Sequence, residues 1–180
     1  MKKDLSKIIE IPEGVEVNID GNTLDIKGKE GEIKKNFRMR KVSIEKQGNN
    51  LKLSFKKATK KEKKIINTVA SHINNMIQGV QEKFEYLLKI CHSHFPITVE
   101  VKGKEVVIKN FLGERVARKA KILDDVYVDI DKEIVTIKSI NCEAAGQTAA
   151  NLEKATWIRL RDRRIFQDGI FITNKPGREF

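Results

Sequence analysis

Only two cysteines occur in 180 residues, Cys91 and Cys142, far apart and with no Cys-x-x-Cys pair, which excludes a disulfide scaffold and a cysteine-based zinc finger. No apolar stretch is long enough to span a bilayer, and no basic amphipathic segment carries the Trp and Phe face of an interfacial helix, so no membrane partner is expected. The opening MKKDLSKIIEIPEG lacks an apolar signal core, and the cytosol is the expected compartment. Aromatics make up just 6% of the chain. The aromatic signature with which an RRM sheet stacks bases is missing, and a KH-type clamp is not expected either. The motifs of common enzymes are absent too: no Gly-x-x-x-x-Gly-Lys-Ser/Thr, no Gly-x-Ser-x-Gly, no Gly-x-Gly-x-x-Gly and no His-Glu-x-x-His. These absences leave no catalytic residue to name, and neither a cofactor nor a metal is expected.

What the chain does have is charge. Lys and Arg number 36 against 25 Asp and Glu, a formal net charge of +11, with 39% hydrophobic residues to fill compact cores. A surface of that sign attracts polyanions, which makes nucleic acid the leading partner class.

The chain also repeats itself. VNIDGNTLDIKGKEGE (Val17 to Glu32) aligns without a gap on VEVKGKEVVIKNFLGE (Val99 to Glu114) at a shift of 82 residues, with Val17/Val99, Gly21/Gly103, Ile26/Ile108, Lys27/Lys109, Gly31/Gly113 and Glu32/Glu114 identical. Each copy alternates apolar and polar residues on either side of a glycine turn, the pattern of a half-buried antiparallel hairpin. The glycines of GNTLDIKGKEGE accordingly read as turn residues and not as a phosphate cradle. Two more alternating strands follow in each copy, KVSIEKQGNNLKLSF from Lys41 and DVYVDIDKEIVTIKS from Asp125. A helix comes next. The first is announced by a Thr59-x-x-Glu62 capping box, with Ile65, Ile66, Val69, Ala70, Ile73, Met76, Ile77 and Val80 at helical spacing and Gly79 as its expected end. The second starts near Asn141, with Cys142, Ala145, Ala149 and Leu152 on one face. This order predicts an α+β protein of two tandem, internally duplicated domains, 1–81 and 82–180, each an antiparallel β-sheet packed with one main α-helix.

Three groups of side chains invite a chemical reading, and each has a plainer one. In CHSHFP (Cys91 to Pro96), His92 and His94 would share a strand face and could chelate zinc with Cys142, but the ligand set is not closed, and strand histidines are expected. His72 reads as a partly buried polar residue of the first helix. Asp124, Asp125, Asp129 and Asp131 read as a solvated turn and strand face.

The positive charge gathers in two places. Between Lys34 and Lys64 stand thirteen Lys or Arg against Glu45 and Glu62. This run is either a solvated strand face and helix start or a face lying beside RNA phosphates. The second place, from Lys154 to Arg178, is rich in arginine: Lys154, Arg159, Arg161, Arg163, Arg164, Lys175 and Arg178 against Asp162 and Asp168. A planar guanidinium grips phosphate with two parallel bonds or stacks on a base. If WIRLRDRR is extended, Trp157, Arg159, Arg161 and Arg163 share one face while Ile158 and Leu160 anchor the other. The plainer reading spreads these arginines on an ordinary surface, with Asp162 pairing one of them. Contacts of this kind favour structured RNA, gripped through phosphates and shape, over DNA.

RIFQDGIFITNK (Arg164 to Lys175), reached from AAGQTAANLEKATWIRLRDR (Ala144 to Arg163), resembles the C-terminal signature of large-subunit ribosomal protein six in its archaeal and eukaryotic form. CHSHFPI and the tandem hairpin domains are similar to that family as well. The resemblance implies a structural, non-enzymatic protein of the large ribosomal subunit in the cytoplasm, next to other ribosomal proteins. It also implies that the C-terminal domain contacts the large rRNA near the sarcin-ricin loop and the stalk base, beside the docking site of translational GTPases. Carried onto this chain, the contact residues are Arg159, Arg161, Arg163, Arg164 and Lys175, with Trp157 and Phe166 nearby and Lys154 and Arg178 at the ends of the segment. Phe166 and Phe171 are open to two roles, base stacking or fixing the loop from the core, and Asp168 with Gly169 is expected to form a turn. A regulator that binds structured RNA outside the ribosome is the alternative, and an RNA-processing enzyme with a scattered site is a third reading.

Overall fold

Residues 3–37 and 43–179 are described by a computed structural model. The repeated hairpin keeps one register in both copies: Val17 faces Ile26 and Ile19 faces Leu24 in the first, Val99 faces Ile108 and Val101 faces Val106 in the second. Val17, Leu24 and Ile26 are buried, as are Val106 and Ile108, so the period-two pattern carries one side of each hairpin into a core. The chain divides into two units, Met1–Lys83 and Phe84–Phe180.

In the first unit β1 (Lys3–Glu10), β2 (Glu16–Asp20), β3 (Thr23–Gly28), β4 (Gly31–Asn36), β5 (Ser43–Gln47) and β6 (Asn50–Ala58) precede α1 (Lys60–Gln81). They form two antiparallel sheets, ordered β2-β3-β4 and β1-β6-β5. The second unit repeats the series as β7 (Phe84–Cys91), β8 (Thr98–Lys102), β9 (Glu105–Lys109), β10 (Arg118–Lys121), β11 (Val126–Asp131) and β12 (Ile134–Ser139), then α2 (Cys142–Ala155). Its sheets are ordered β8-β9-β10 and β11-β12-β7-β13-β14, so the order β1-β6-β5 recurs as β7-β12-β11. The added strands β13 (Gly169–Lys175) and β14 (Arg178–Glu179) extend that sheet from the free side of β7. This is the expected duplicated α+β fold, with the strands of each unit shared between two sheets that pack on one helix.

The third strand of the hairpin sheet shows where the ungapped match stops describing structure. Gly31 opens β4 opposite Gly28, and Ile33 faces Ile26. In the second unit Gly113 and Glu114 belong to a tight turn over Phe111–Gly113 and its end, and it is Arg118 that faces Ile108. The turn is longer there because Phe111 folds back into the core, where it is 1% exposed.

Helix α1 begins as its sequence announces: the Glu62 carboxylate accepts the Thr59 backbone N–H at 2.8 Å. Its buried face carries Ile66, Val69, Ala70, Ile73, Met76, Ile77 and Val80, while Ile65 lies outside it. Gly79 does not end the helix, which continues to Gln81. Gly79 is buried there, and the chain leaves the helix only at Glu82, in extended conformation. The reason lies in the β3–β4 turn. Glu30 donates its N–H to the Val80 carbonyl at 2.9 Å, satisfying a helix-end acceptor from outside. Gly28-Lys29-Glu30-Gly31 spells Gly-x-x-Gly, yet it serves as this hairpin turn, and a Cβ on Gly28 would stand 2.8 Å from both the Val80 carbonyl oxygen and its Cγ2. Gly28→Ala should therefore destabilise the first unit by about 1–3 kcal/mol, the range of an overpacked contact. Urea unfolding of the full chain measures this. An unchanged midpoint would mean that the turn yields without cost.

Helix α2 starts at the expected Asn141, whose Oδ1 accepts the N–H groups of Glu143 at 3.0 Å and Ala144 at 3.5 Å. Ala145, Thr148, Ala149 and Leu152 are buried, and Cys142 is half-buried. Small residues let the helix lie close on the sheet, where Gly146 leaves room for the Tyr86 hydroxyl. No described helix is long and apolar enough to cross a membrane.

Candidate nucleic-acid interface

The arginine segment is a loop of twelve residues, 157–168, strung between the end of α2 and the start of β13. Both ends are fixed by hydrogen bonds. Buried Thr156 accepts the Ile170 N–H at 2.9 Å and donates to the Glu153 carbonyl at 3.2 Å, which joins the last turn of α2 to β13. Arg118 reaches over from β10 and donates to the carbonyls of Ala155 at 2.9 Å and Trp157 at 3.1 Å. Its guanidinium is aimed by Glu114, which accepts at 2.5 and 2.8 Å, and by the Phe111 ring 4.3 Å away.

At the far end Asp168, 1% exposed, is far more than a turn residue. One of its oxygens accepts the N–H groups of Ser93 at 2.5 Å and His94 at 3.2 Å, and the other meets His94 Nδ1 at 2.5 Å. Those bonds draw the chain after β7 into a turn, so His92 and His94 lie in a loop and not on a strand face. Burial pushes the Asp168 carboxyl up, but the Ser93 N–H, the His94 ring and the His94 N–H together outweigh it and hold the group below its ordinary value. The His94 ring also stacks on Phe166, centroids 4.8 Å apart at 26°, which answers for Phe166: it braces the loop.

The loop between these anchors is not extended. Ile158 is buried as expected, but Leu160 adopts φ 58° and stands fully in solvent, so the alternation breaks after one anchoring residue. A turn centred on Asp162 replaces it. The Asp162 side chain accepts the Arg164 N–H at 2.9 Å, and its carbonyl accepts the N–H groups of Ile165 at 3.2 Å and Phe166 at 3.0 Å. Asp162 thus spends its carboxylate on the backbone. Arg159, Arg161, Arg163 and Arg164 have no carboxylate at ion-pair distance among the described residues, so the expected side-chain pairing of one of them with Asp162 is not seen.

Geometry divides the four. Arg161 lies over the Phe166 ring at 4.8 Å and Arg163 over Trp157 at 4.4 Å, each held against an aromatic face. Arg159 and Arg164 are exposed, their guanidinium groups without a partner among the described residues, and Lys154 is exposed in the last turn of α2. Lys175 and Arg178 face each other across the β13–β14 turn, where both have interactions of their own. The candidate interface is therefore a compact loop of arginines with Lys154 beside it, and the two C-terminal cations stand on a neighbouring hairpin.

Lys34 bridges Glu32 at 2.6 Å and Asp25 at 3.5 Å, and Lys27 bridges Glu32 at 3.1 Å. Lys34 and Lys27 hold the Glu32 carboxyl down to about 2. Lys34, the first cation of the Lys34 to Lys64 run, is thus paired within its own hairpin, while Lys46 donates to the Val17 carbonyl at 3.0 Å. Lys60, Lys61, Lys63 and Lys64 are exposed, and Arg38, Arg40 and Lys41 lie outside the described residues. Half-buried His72 stands 3.4 Å from Lys35 Nζ. Asp124 pairs with Lys104 at 2.5 Å, while Asp125, Asp129 and Asp131 are exposed. Cys142 Sγ lies 3.5 Å from the Tyr86 hydroxyl, whose pKa is pushed up by burial and by that contact. Among the described residues no three His, Cys, Asp or Glu side chains converge as a metal site.

Arg118, Glu114, Thr156 and Ser93 were not legible as anchors of the arginine loop. Arg118 and Glu114 stand four apart, a spacing with meaning on a helix, but here they flank a turn.

These features define a class: a small basic protein of two like α+β repeats, the second presenting a braced loop of arginines. A family model described as ribosomal protein L6 matches residues 11–83 and 95–169, one stretch in each unit. The chain is 50% identical over 177 residues to the large ribosomal subunit protein uL6 of Methanosphaera stadtmanae, covering 98% of this chain and 96% of that one. It is 48% identical over 168 residues to the protein of that name from Methanocella arvoryzae, covering 93% and 95%, and 43% identical over 175 residues to that of Archaeoglobus fulgidus, covering 94% and 89%. The chain belongs to the ribosomal protein L6 family.

Proposed function

We propose that this protein is a structural constituent of the large ribosomal subunit, working in the cytoplasm as part of the ribosome without catalytic activity of its own. It binds large-subunit rRNA through the 157–168 loop, with Arg159 and Arg164 on phosphates, Arg161 and Arg163 as stacked cations, and Lys154, Lys175 and Arg178 as flanking charges. As the family resemblance implies, it lies near the sarcin-ricin loop and the stalk base, among other ribosomal proteins and beside the docking site of translational GTPases. The observation that carries this reading is a loop pinned at both ends whose four arginines have no carboxylate partners among the described residues. Leaving so many cations unneutralised on a fixed frame is costly unless an anion arrives to share them.

The test is cosedimentation. The protein should remain with large subunits through a high-salt cushion and protect a defined rRNA segment from chemical probing. Release at moderate salt, with binding to a separate structured RNA, would instead identify a regulator acting off the ribosome.

A further inference from the structure

Beside the arginine loop the second unit holds a cleft of about 790 Å³, walled by Trp157, Phe166 and Phe171 and floored by Ile158. Binding the outside of the loop to phosphates does not account for it. Trp157 is 52% exposed and Phe171 43%, two large aromatic side chains left half in solvent in a chain with few aromatics. We propose that this cleft receives one unpaired nucleobase of the bound RNA, stacked against the Arg163–Trp157 pair; the inference rests on the RNA-binding reading above and deepens it.

Four observations converge on that occupant. The volume lies in the range of small-ligand sites, about 300–1,000 Å³, and is ample for a base with part of its sugar. The walls are flat and aromatic, and Arg163 already lies over the indole at 4.4 Å, so a planar cation and a planar ring are assembled before any ligand arrives. The rim offers a mixed set of donors and acceptors. Gln167 uses its Nε2 on the Arg164 carbonyl at 3.2 Å, which leaves its side-chain oxygen for a base edge, while Glu153 and Lys154 supply an acceptor and a donor. Finally, Arg159 and Arg164 are on the same loop and have no carboxylate partner among the described residues, so the charge beside the cleft suits a polyanion whose backbone runs outside while one base turns in.

Trp157 is the only tryptophan in the chain, so its fluorescence reports on this cleft alone. The probe is the smallest large-subunit rRNA fragment that the protein protects from nuclease, with binding followed separately by anisotropy of an end label. Binding should strongly quench Trp157 emission. One abasic substitution in the fragment should abolish the quenching and weaken binding roughly tenfold, the scale of one stacked base, while leaving the salt dependence unchanged because no phosphate is removed. Trp157→Ala should cost a similar factor, Trp157→Phe much less, and the abasic RNA should bind the alanine variant no worse than intact RNA does. RNA that binds without quenching, with no abasic position mattering, would overturn the inference alone. Quenching seen only in whole subunits and never with the fragment would hand the cleft to a neighbouring protein and overturn it as well. Failure of any large-subunit rRNA to bind would remove the RNA-binding reading and the inference with it.

Discussion

Replacing Arg159 and Arg164 together by alanine should weaken binding to large-subunit rRNA at least about tenfold and lower the slope of log affinity against log salt by roughly 1.4 to 1.8 units, since each lost phosphate contact removes about 0.7–0.9 of released counterion. These two are the loop arginines whose guanidinium groups have neither a carboxylate nor an aromatic partner among the described residues. Their removal should therefore leave the folded protein intact, as an unchanged unfolding midpoint would confirm. Large subunits rebuilt with the double variant should show slower factor-stimulated GTP hydrolysis, with puromycin reactivity near normal, because several phosphate contacts from one rigid element set the direction of the RNA as well as its position. An unchanged slope would move the main contact elsewhere, to the exposed Lys60, Lys61, Lys63 and Lys64 at the start of α1. A loss of puromycin reactivity without loss of GTPase stimulation would contradict the position beside the factor site.

Asp168→Ala should destabilise the second unit by about 2–4 kcal/mol, because it strips a buried ionised acceptor from the N–H groups of Ser93 and His94 and from the His94 ring at once. The same change releases the braced end of the arginine loop, so rRNA affinity should fall without any basic residue being touched. Asp168→Asn keeps an oxygen for the two N–H groups and loses the charge facing His94, which should place it between the wild type and the alanine variant. The pH dependence has a definite sign. Asp168 is held below its ordinary value, so its contribution is complete above the usual aspartate pKa of about 4 and fades as pH falls through the depressed one. Urea unfolding at pH 7 and at decreasing acid pH should show the wild type and Asp168→Ala converging as acidity rises. A constant gap between the two would mean that the carboxylate charge does not carry the clasp.

What the sequence determined by itself was local or periodic. The apolar alternation of VNIDGNTLDI and VEVKGKEVVI set two hairpins in one register, the Thr59/Glu62 box and Asn141 set two helix starts, and the Arg164 to Lys175 run pointed to the family. Each signal works through neighbours a few residues apart or through a constant shift, and both can be read from order alone. The tertiary structure decided which groups are occupied. Arg118 holds carbonyls 37 and 39 residues away, and Asp168 holds groups 74 and 75 residues away. Nothing in the order of residues distinguishes these from other charged side chains. The extended arginine face failed for a related reason: WIRLRDRR alternates like a strand, but the loop has no partner strand for its hydrogen bonds, so Asp162 takes them and turns the chain. Gly79 stays helical because Glu30 caps Val80 across the fold. Composition supplied the positive charge; among the described residues, the Asp162 turn and the Trp157 and Phe166 rings decided which loop guanidinium groups have a partner.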